Sequence, residues 1–450
     1  MPVDLPREIA LKILYEINEK GAYSNIAINK HVENPGLRDI DKVFITGLVY
    51  GTIKWRLSID FVIGQFSKLP MKKLSPWILN ILRLGIYQIL YTDKIPVSAA
   101  CNESVSLALK YGHKASGGFV NGILRNVARN KDNIVYPDKN ADLIRYLSIK
   151  YSHQEWMIKK WAKLYGEEFT ENLLQSNNEN PVFSIAVNTL KISREGIRQK
   201  LHEEGIDCIE GKYSDNALKL ENPAGIVHSY LHKEGYFQIQ DEASMLVSKV
   251  LDPAPGELVI DVCAAPGGKT ANIAQMMNNC GTVVARDIHP HKIKLIEEAS
   301  KRLGLNIVKT QLFNAEEIDP SCKSRADRVL VDAPCSGLGI IRRKPDIKWT
   351  RTPEDMKTIP PLQFKILCTA AEYVKPGGVL VYSTCTIMPD ENIDVVSKFL
   401  ELNSYFKMVG FETLLPKGLI KETAGEGYVQ LFPNVEGIDG FFIAKLMRKG

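Results

Sequence analysis

The sequence predicts a multidomain protein with an all-α N-terminal domain, a small α+β unit and a C-terminal α/β domain built on a mainly parallel sheet. Three observations predict it. The 450 residues exceed what one hydrophobic core serves. Apolar residues recur at helical spacing up to about residue 135. Beyond about residue 236, short apolar runs alternate with helix-like stretches.

In the N-terminal part, Ile9, Ile13, Leu14 and Ile17 share one helical face, and Asp4 stands where it can cap that helix. A second helical pattern covers residues 39–66. A third opens with Ser75 as N-cap and Pro76 in the first turn, and continues through Ile78, Ile81, Leu82, Ile86 and Ile89. Residues 98–111 and 118–129 add two more, which makes a bundle of five or more helices. The polar stretch 130–140, with Pro137, reads as a boundary. Residues 141–176 return to helix, with Trp156 and Trp161 amid charges. At Phe183, Ile185 and Val187 the period changes to alternation, as in a strand. Residues 192–204 predict a helix, and 206–209 and 217–220 two further short strands. The apolar runs at 258–262, 282–285, 328–331 and 379–382 predict buried strands of a doubly wound sheet. The expected domains are therefore 1–135, 136–235 and 236–450.

Composition narrows the function. Hydrophobic residues make up 45% of the chain and charged residues 24%, as in soluble globular proteins. No apolar stretch reaches the ~18 residues of a membrane span. The longest, 78–91, is interrupted by Asn80, Arg83 and Gln88. The first residues lack a charged segment followed by an apolar run, so no signal peptide is expected and the location is expected to be cytoplasmic. The cysteines at 101, 208, 263, 280, 322, 335, 368 and 385 form no CxxC pair or zinc spacing. Neither a disulfide framework nor a metal is expected. Residues 1–140 carry 19 Lys and Arg against 12 Asp and Glu, and the remainder 38 against 40. A basic N-terminal third suits nucleic acid; it equally suits a solvated helical surface.

Doubly wound sheets bind ligands beyond the carboxyl ends of their strands. Asp261-Val262-Cys263-Ala264-Ala265-Pro266-Gly267-Gly268-Lys269-Thr270 follows the first strand of this sheet and opens a helix. It is neither GxGxxG nor a P-loop, so a ligand without phosphates fits better. Alone, it also reads as a plain strand-to-helix turn. Asp287 ends the next strand, where an acid can hold both ribose hydroxyls or cap the following helix. An adenosine ligand without pyrophosphate at these two ends would be S-adenosylmethionine.

Two further strand ends carry Asp332-Ala333-Pro334-Cys335 and Ser383-Thr384-Cys385. By default a cysteine there is a small buried hydrophobe. Two at functional strand ends, one after Asp-Ala-Pro, suit methylation of cytosine at carbon 5. That carbon is a poor nucleophile until a thiolate adds to carbon 6, and afterwards a proton must leave and the thiol must be expelled. Residue types alone do not rank the two thiols.

Taken together, Cys-Ala-Ala-Pro-Gly-Gly-Lys at 263–269, Asp-Ala-Pro-Cys at 332–335 and Ser-Thr-Cys at 383–385 resemble the RNA (cytosine-C5) methyltransferases. Gln240-Asp241-Glu242-Ala243-Ser244, residues 341–349 and Asp439-Gly440-Phe441-Phe442 agree. Gly118-Phe119-Val120-Asn121-Gly122-Ile123-Leu124-Arg125 is similar to the helical domain of the bacterial 16S rRNA methyltransferase B type. The resemblance covers nearly the whole chain. It implies a NusB-like RNA-binding domain, a small RNA-recognition-like unit and a Rossmann-like class I methyltransferase domain.

It also implies roles. Cys263, Ala264, Ala265, Pro266, Gly267, Gly268 and Lys269 would line the S-adenosyl-L-methionine, and Asp287 would hold its ribose. Asp332 would sit between cofactor and cytosine. Cys385 would be the nucleophile and Cys335 the proton-removing or resolving partner. Where the family often has an aspartate near the adenine, this chain has Asn314, whose carbonyl oxygen can still accept from the adenine amine. Just beyond Cys335, Arg342, Arg343, Lys344 and Lys348 are placed to grip RNA phosphates near the flipped-out base, the alternative being a solvated surface loop, while Trp349 is expected in the core rather than stacked on a base. The implied partner is 16S rRNA, with no metal, no membrane and no obligate protein partner. The competing readings are a cytosine methyltransferase acting on tRNA or DNA, with Cys335 as nucleophile in the DNA case, and a non-enzymatic RNA-binding factor.

Overall fold

The computed structural model describes residues 3–33, 36–221, 223, 225–419 and 421–450. The chain divides into two compact units, Met1–Glu179 with Ile341–Thr350, and Asn180–Ile340 with Arg351–Gly450.

The first unit is helical. Its opening helix, Leu5–Lys20, is capped as expected: an Asp4 side-chain oxygen accepts from the Arg7 N–H, and Gly21 closes the other end in the left-handed region. The pattern over 39–66 resolves into two helices, Asp39–Lys54 and Arg56–Phe66, broken at Trp55. A one-residue break leaves the apolar spacing nearly in phase, which is why the sequence reads it as one element. Pro76–Leu90 starts at Ser75, whose hydroxyl accepts from the Ile78 N–H. With Val97–Tyr111 and Lys114–Arg129 these helices bury one continuous core, including Ile13, Leu14, Ile45, Ile81, Leu82, Ile86, Val120 and Leu124. Leu143–Tyr151, Glu155–Tyr165 and Glu167–Ser176 complete the unit, so it extends past the boundary expected near 135.

The second unit contains two sheets. In the smaller, β1 (Ser184–Val187), β2 (Cys208–Glu210), β3 (Ala217–Leu220) and β4 (Phe237–Ile239) run in the order β2-β3-β1-β4, all antiparallel. Strand β4 lies beyond residue 235, where the small unit was expected to end; three residues are too few for an alternating pattern to show.

The larger sheet holds β5 (Leu258–Asp261), β6 (Thr282–Asp287), β7 (Val308–Leu312), β8 (Ala326–Asp332), β9 (Val374–Thr384), β10 (Phe406–Met408), β11 (Tyr428–Leu431) and β12 (Phe441–Arg448). Its order is β10-β12-β9-β8-β5-β6-β7, with β11 also on β12. Strands β5 to β9 pair in parallel and β12 antiparallel to β9. Successive residues enter opposite cores: Val259, Leu330 and Val381 pack with the helices Glu242–Leu251 and Gly268–Met276. Ile260, Val329, Leu380 and Tyr382 pack with Asp355–Ala371 and Ile393–Leu402. Both faces are therefore apolar, which produces the continuous runs seen in the sequence. Strand β7, Val-Lys-Thr-Gln-Leu, is a half-exposed edge and has no such run. Strand β5 lies between β6 and β8, so strand order reverses there and opens a crevice at its carboxyl end.

Candidate active site

The turn after β5 fills that crevice. The Ala264 N–H donates to the Arg286 carbonyl (2.8 Å) and the Gly267 N–H to the Ala264 carbonyl (2.7 Å). Gly267, at φ +104°, caps the helix Gly268–Met276, a conformation that a side chain would strain. Asp261 is fully buried; its Oδ2 accepts from the Thr270 hydroxyl (2.7 Å) and its Oδ1 has no hydrogen-bond partner. Burial, followed by the Asp332 charge, outweighs the Thr270 bond and raises its pKa to about 7. Cys263 is part-buried in the turn, and burial raises its thiol pKa far above the usual range.

Asp287 ends β6, 7% exposed, and accepts from the His289 N–H (3.0 Å), with Lys292 Nζ at 3.7 Å. Asn314 follows β7. Its Oδ1 accepts from the Glu316 N–H (3.1 Å), which leaves that oxygen one further lone pair.

Strands β8 and β9 bring the remaining groups together, because parallel pairing sets Asp332 beside Ser383. Asp332 accepts from the Ser383 hydroxyl (2.8 Å) through one oxygen and from Lys269 Nζ (2.7 Å) through the other. Burial pulls the Lys269 pKa down, but the Asp332 charge and bond, with a smaller contribution from Cys385, hold it above the usual value. Its ammonium also lies 5.1 Å from the Phe441 ring centre.

Just beyond these strand ends, Cys335 Sγ and Cys385 Sγ are 3.2 Å apart, a hydrogen-bond contact well beyond the ~2.05 Å of a disulfide. The bond to Cys385, then burial, then the negative charges of Cys385, Glu391 and Asp332, push the Cys335 thiol far up. The two loops are also zipped through glycines. The Gly339 N–H donates to the Cys385 carbonyl (3.0 Å), and the Gly440 N–H to the Gly339 carbonyl (2.9 Å). A Cβ on Gly339 would stand 2.1 Å from the oxygen of Gly440, on the loop before β12, and a Cβ on Gly440 2.8 Å from the Gly339 Cα, so neither glycine tolerates a side chain.

The expected phosphate-gripping set needs correction. Lys348 is fully buried, its Nζ donating to Asn178 Oδ1 (2.6 Å) and the Lys54 carbonyl (3.1 Å). Arg342 is only 4% exposed. Residues 341–350 belong to the helical unit, and only Arg343 and Lys344 among the four basic residues reach its surface. Trp349 packs as expected, its Nε1 donating to the Ile53 carbonyl (2.9 Å) and its ring lying 4.2 Å from the Arg56 guanidinium.

Several partners escaped the sequence reading: Asp261 as a buried acid, Ser383 as the Asp332 partner, and Glu391. The first two lie inside the motifs at 261–270 and 383–385, at strand ends where ligands bind. Among the described residues no cluster of three or more His, Cys, Asp or Glu could hold a metal, and no helix is long and apolar enough to cross a membrane.

A switch-point crevice with this turn, and two thiols beside a carboxylate at adjacent strand ends, defines a methyltransferase domain joined to a helical unit. The comparisons with known proteins agree. Residues 248–447 match the 16S rRNA methyltransferase RsmB/F model, residues 4–129 the NusB family, and residues 153–227 the ferredoxin-like domain of RsmF/B-like methyltransferases. The chain is 39% identical over 446 residues to the probable ribosomal RNA small subunit methyltransferase B of Bacillus subtilis (strain 168), covering 99% of each. It is 32% identical to the ribosomal RNA small subunit methyltransferase B of Photorhabdus laumondii over 98% of each. The crystal structure of PH0851 superposes with a TM-score of 0.81 at 29% identity, covering 99% of both chains. The chain belongs to the ribosomal RNA small subunit methyltransferase B family, and with it to the S-adenosylmethionine-dependent rRNA methyltransferases.

Proposed function

We propose that the protein methylates carbon 5 of one cytosine in 16S rRNA through a covalent bond between Cys385 and carbon 6. The observation that carries this reading is the 3.2 Å approach of the Cys335 and Cys385 sulfurs, with Asp332 and Lys269 at the same strand ends. A thiol pair that serves only packing needs no carboxylate and ammonium beside it.

The residues fit the cofactor. Asp261 offers a buried oxygen with no hydrogen-bond partner, as a cationic ligand requires, and the turn at 263–269 presents backbone and small side chains for close approach. Asp287, nearly buried at the end of β6, would hold the ribose, and Asn314, with a lone pair left on its Oδ1, would accept from the adenine amine. When bound, S-adenosylmethionine supplies an electrophilic methyl group on a sulfonium. Cys385 adds to carbon 6 of the cytosine, while Asp332, in reach of Lys269 and Ser383, holds the exocyclic amine or ring nitrogen. Cys335 keeps its proton while Cys385 is unreacted, since two thiols in contact do not both ionise readily. Once the Cys385 sulfur is bonded to carbon, that coupling is gone, and Cys335 releases its proton to solvent and stands as a thiolate. It then takes the carbon-5 proton, the bond to carbon 6 breaks and Cys385 leaves. Arg343 and Lys344 remain the candidates for phosphate contact.

Bisulfite sequencing of 16S rRNA from a strain lacking the gene tests the reading: one 5-methylcytosine should vanish and return with the intact gene. An unchanged 16S pattern would defeat the proposal. Asp261 adds a pH dependence. Its raised pKa of about 7 means that binding a cationic cofactor expels a proton at lower pH. Affinity should fall toward tenfold per pH unit below about 7, and Asp261→Asn should flatten that slope in calorimetric titrations.

A further inference from the structure

The loops that carry the two cysteines meet on one buried side chain. Glu391 closes the short turn Pro389–Glu391 beyond β9 and is fully buried. Its Oε2 accepts from the Ser336 N–H (2.8 Å) and from Gln363 Nε2 (3.2 Å). Its Oε1 accepts from the Ser336 hydroxyl (2.5 Å) and the Thr386 hydroxyl (3.2 Å), and those two hydroxyls lie 2.9 Å apart. Ser336 follows Cys335 directly, and Thr386 follows Cys385. Gln363 Nε2 also donates to the Pro334 carbonyl (3.0 Å), and Arg351 donates to the carbonyls of Cys335 (3.2 Å) and Ser336 (2.8 Å). On the other side, the Tyr382 hydroxyl donates to the Glu391 carbonyl (2.7 Å), and Asn392 donates to the Thr386 carbonyl (3.0 Å).

Among the described residues, the four donors to this carboxylate, the Ser336 N–H and hydroxyl, the Thr386 hydroxyl and the Gln363 amide, are neutral groups. A buried carboxylate is costly unless its hydrogen bonds are made, and four donors make them here. What the carboxylate does that an apolar residue cannot is hold the residue after each cysteine at once, through two oxygens of fixed separation.

We propose that Glu391 is a positioning residue that locks the Cys335 and Cys385 loops to one another and so sets the approach of the two sulfurs. The inference rests on the cysteine mechanism proposed above. Glu391 touches neither substrate nor cofactor in it; it acts through Ser336 and Thr386. The amide of glutamine keeps one accepting oxygen for the Ser336 N–H and Gln363, while the serine and threonine hydroxyls can turn to accept from its nitrogen.

The test measures methyl transfer to 16S rRNA together with S-adenosylmethionine affinity by calorimetry. Glu391→Ala should lower kcat by about 100-fold while KM for RNA and Kd for the cofactor stay within about threefold. Glu391→Gln should recover most of that loss. The near-isosteric Thr386→Val, alone and with Ser336→Ala, repeats the test without removing the buried acid, and should lower kcat in the same selective way. Should Glu391→Ala fail to fold, the Thr386 and Ser336 variants decide. Turnover near wild type in Glu391→Ala or in the double variant would overturn the proposal, as would Glu391→Gln as impaired as Glu391→Ala. Cys385→Ala in the same assay separates this from failure of the mechanism: if it still methylates, the cysteine reading falls, whatever Glu391 does.

Discussion

Replacing Cys385 by alanine should abolish covalent capture of RNA that carries 5-fluorocytosine at the target, whereas replacing Cys335 should leave capture intact and cause enzyme–RNA complex to accumulate on ordinary RNA. The two thiols are chemically alike and 3.2 Å apart, so the difference must come from order of use. With Cys385 gone nothing attacks carbon 6, and turnover should drop by about 10⁴-fold or more, the scale on which loss of a nucleophile is felt. With Cys335 gone the first bond still forms, but the carbon-5 proton has lost its acceptor and the adduct persists. Denaturing gels with labelled RNA read both outcomes. Equal loss of adduct in the two variants would count against the assigned roles. An adduct on DNA that is lost in Cys335→Ser and kept in Cys385→Ser would favour the DNA reading instead.

The second large effect concerns stability. Lys348→Ala should destabilise the helical unit by about 3 kcal/mol, because it strands buried acceptors that the amino group now satisfies. Those acceptors are Asn178 Oδ1 and the carbonyls of Lys54 and Tyr151, at 2.6, 3.1 and 3.5 Å. All five tryptophans, at 55, 77, 156, 161 and 349, lie in this unit, so fluorescence during urea unfolding reports on it alone. The pH dependence gives a second reading. Burial, with Lys54 nearby, pushes the Lys348 pKa well down, and burial brings Lys54 to about 8. Between these folded values and the ordinary lysine value the unfolded chain binds more protons, so stability rises with pH there. Each such proton is worth up to about 1.4 kcal/mol per pH unit. Lys348→Met keeps the apolar stem, removes one of these protons, and should give a shallower rise between pH 7 and 9.5. An unfolding midpoint and slope equal to wild type in both variants would show that the buried Lys348 amino group contributes nothing.

Much of the site could be read from local chemistry. The turn at 263–269 and the two cysteine motifs follow apolar runs, and strand ends of a doubly wound sheet are where ligands bind. The caps Asp4 and Ser75 are legible for the same reason: each acts on the residues next to it. The basic run at 342–348 misleads because a lysine at a surface and a lysine in a core look alike in sequence. Lys348 is distinguished only by Asn178 and Lys54, far away along the chain. Glu391 went unnoticed for a related reason, since Ser336 precedes it by 55 positions and no local period links them.

The sequence by itself determined the order of domains, the sheet's buried strands and the residue types at their ends, because these rest on periodicity and on contacts between near neighbours. Only the tertiary structure decided that Cys335 and Cys385 meet, that Asp332 pairs with Lys269, that Glu391 ties both loops, and that residues 341–350 belong to the helical unit. Those facts depend on strand register and burial, which bring together groups tens of positions apart and raise the pKa values of Cys335 and Lys269 by the company they keep.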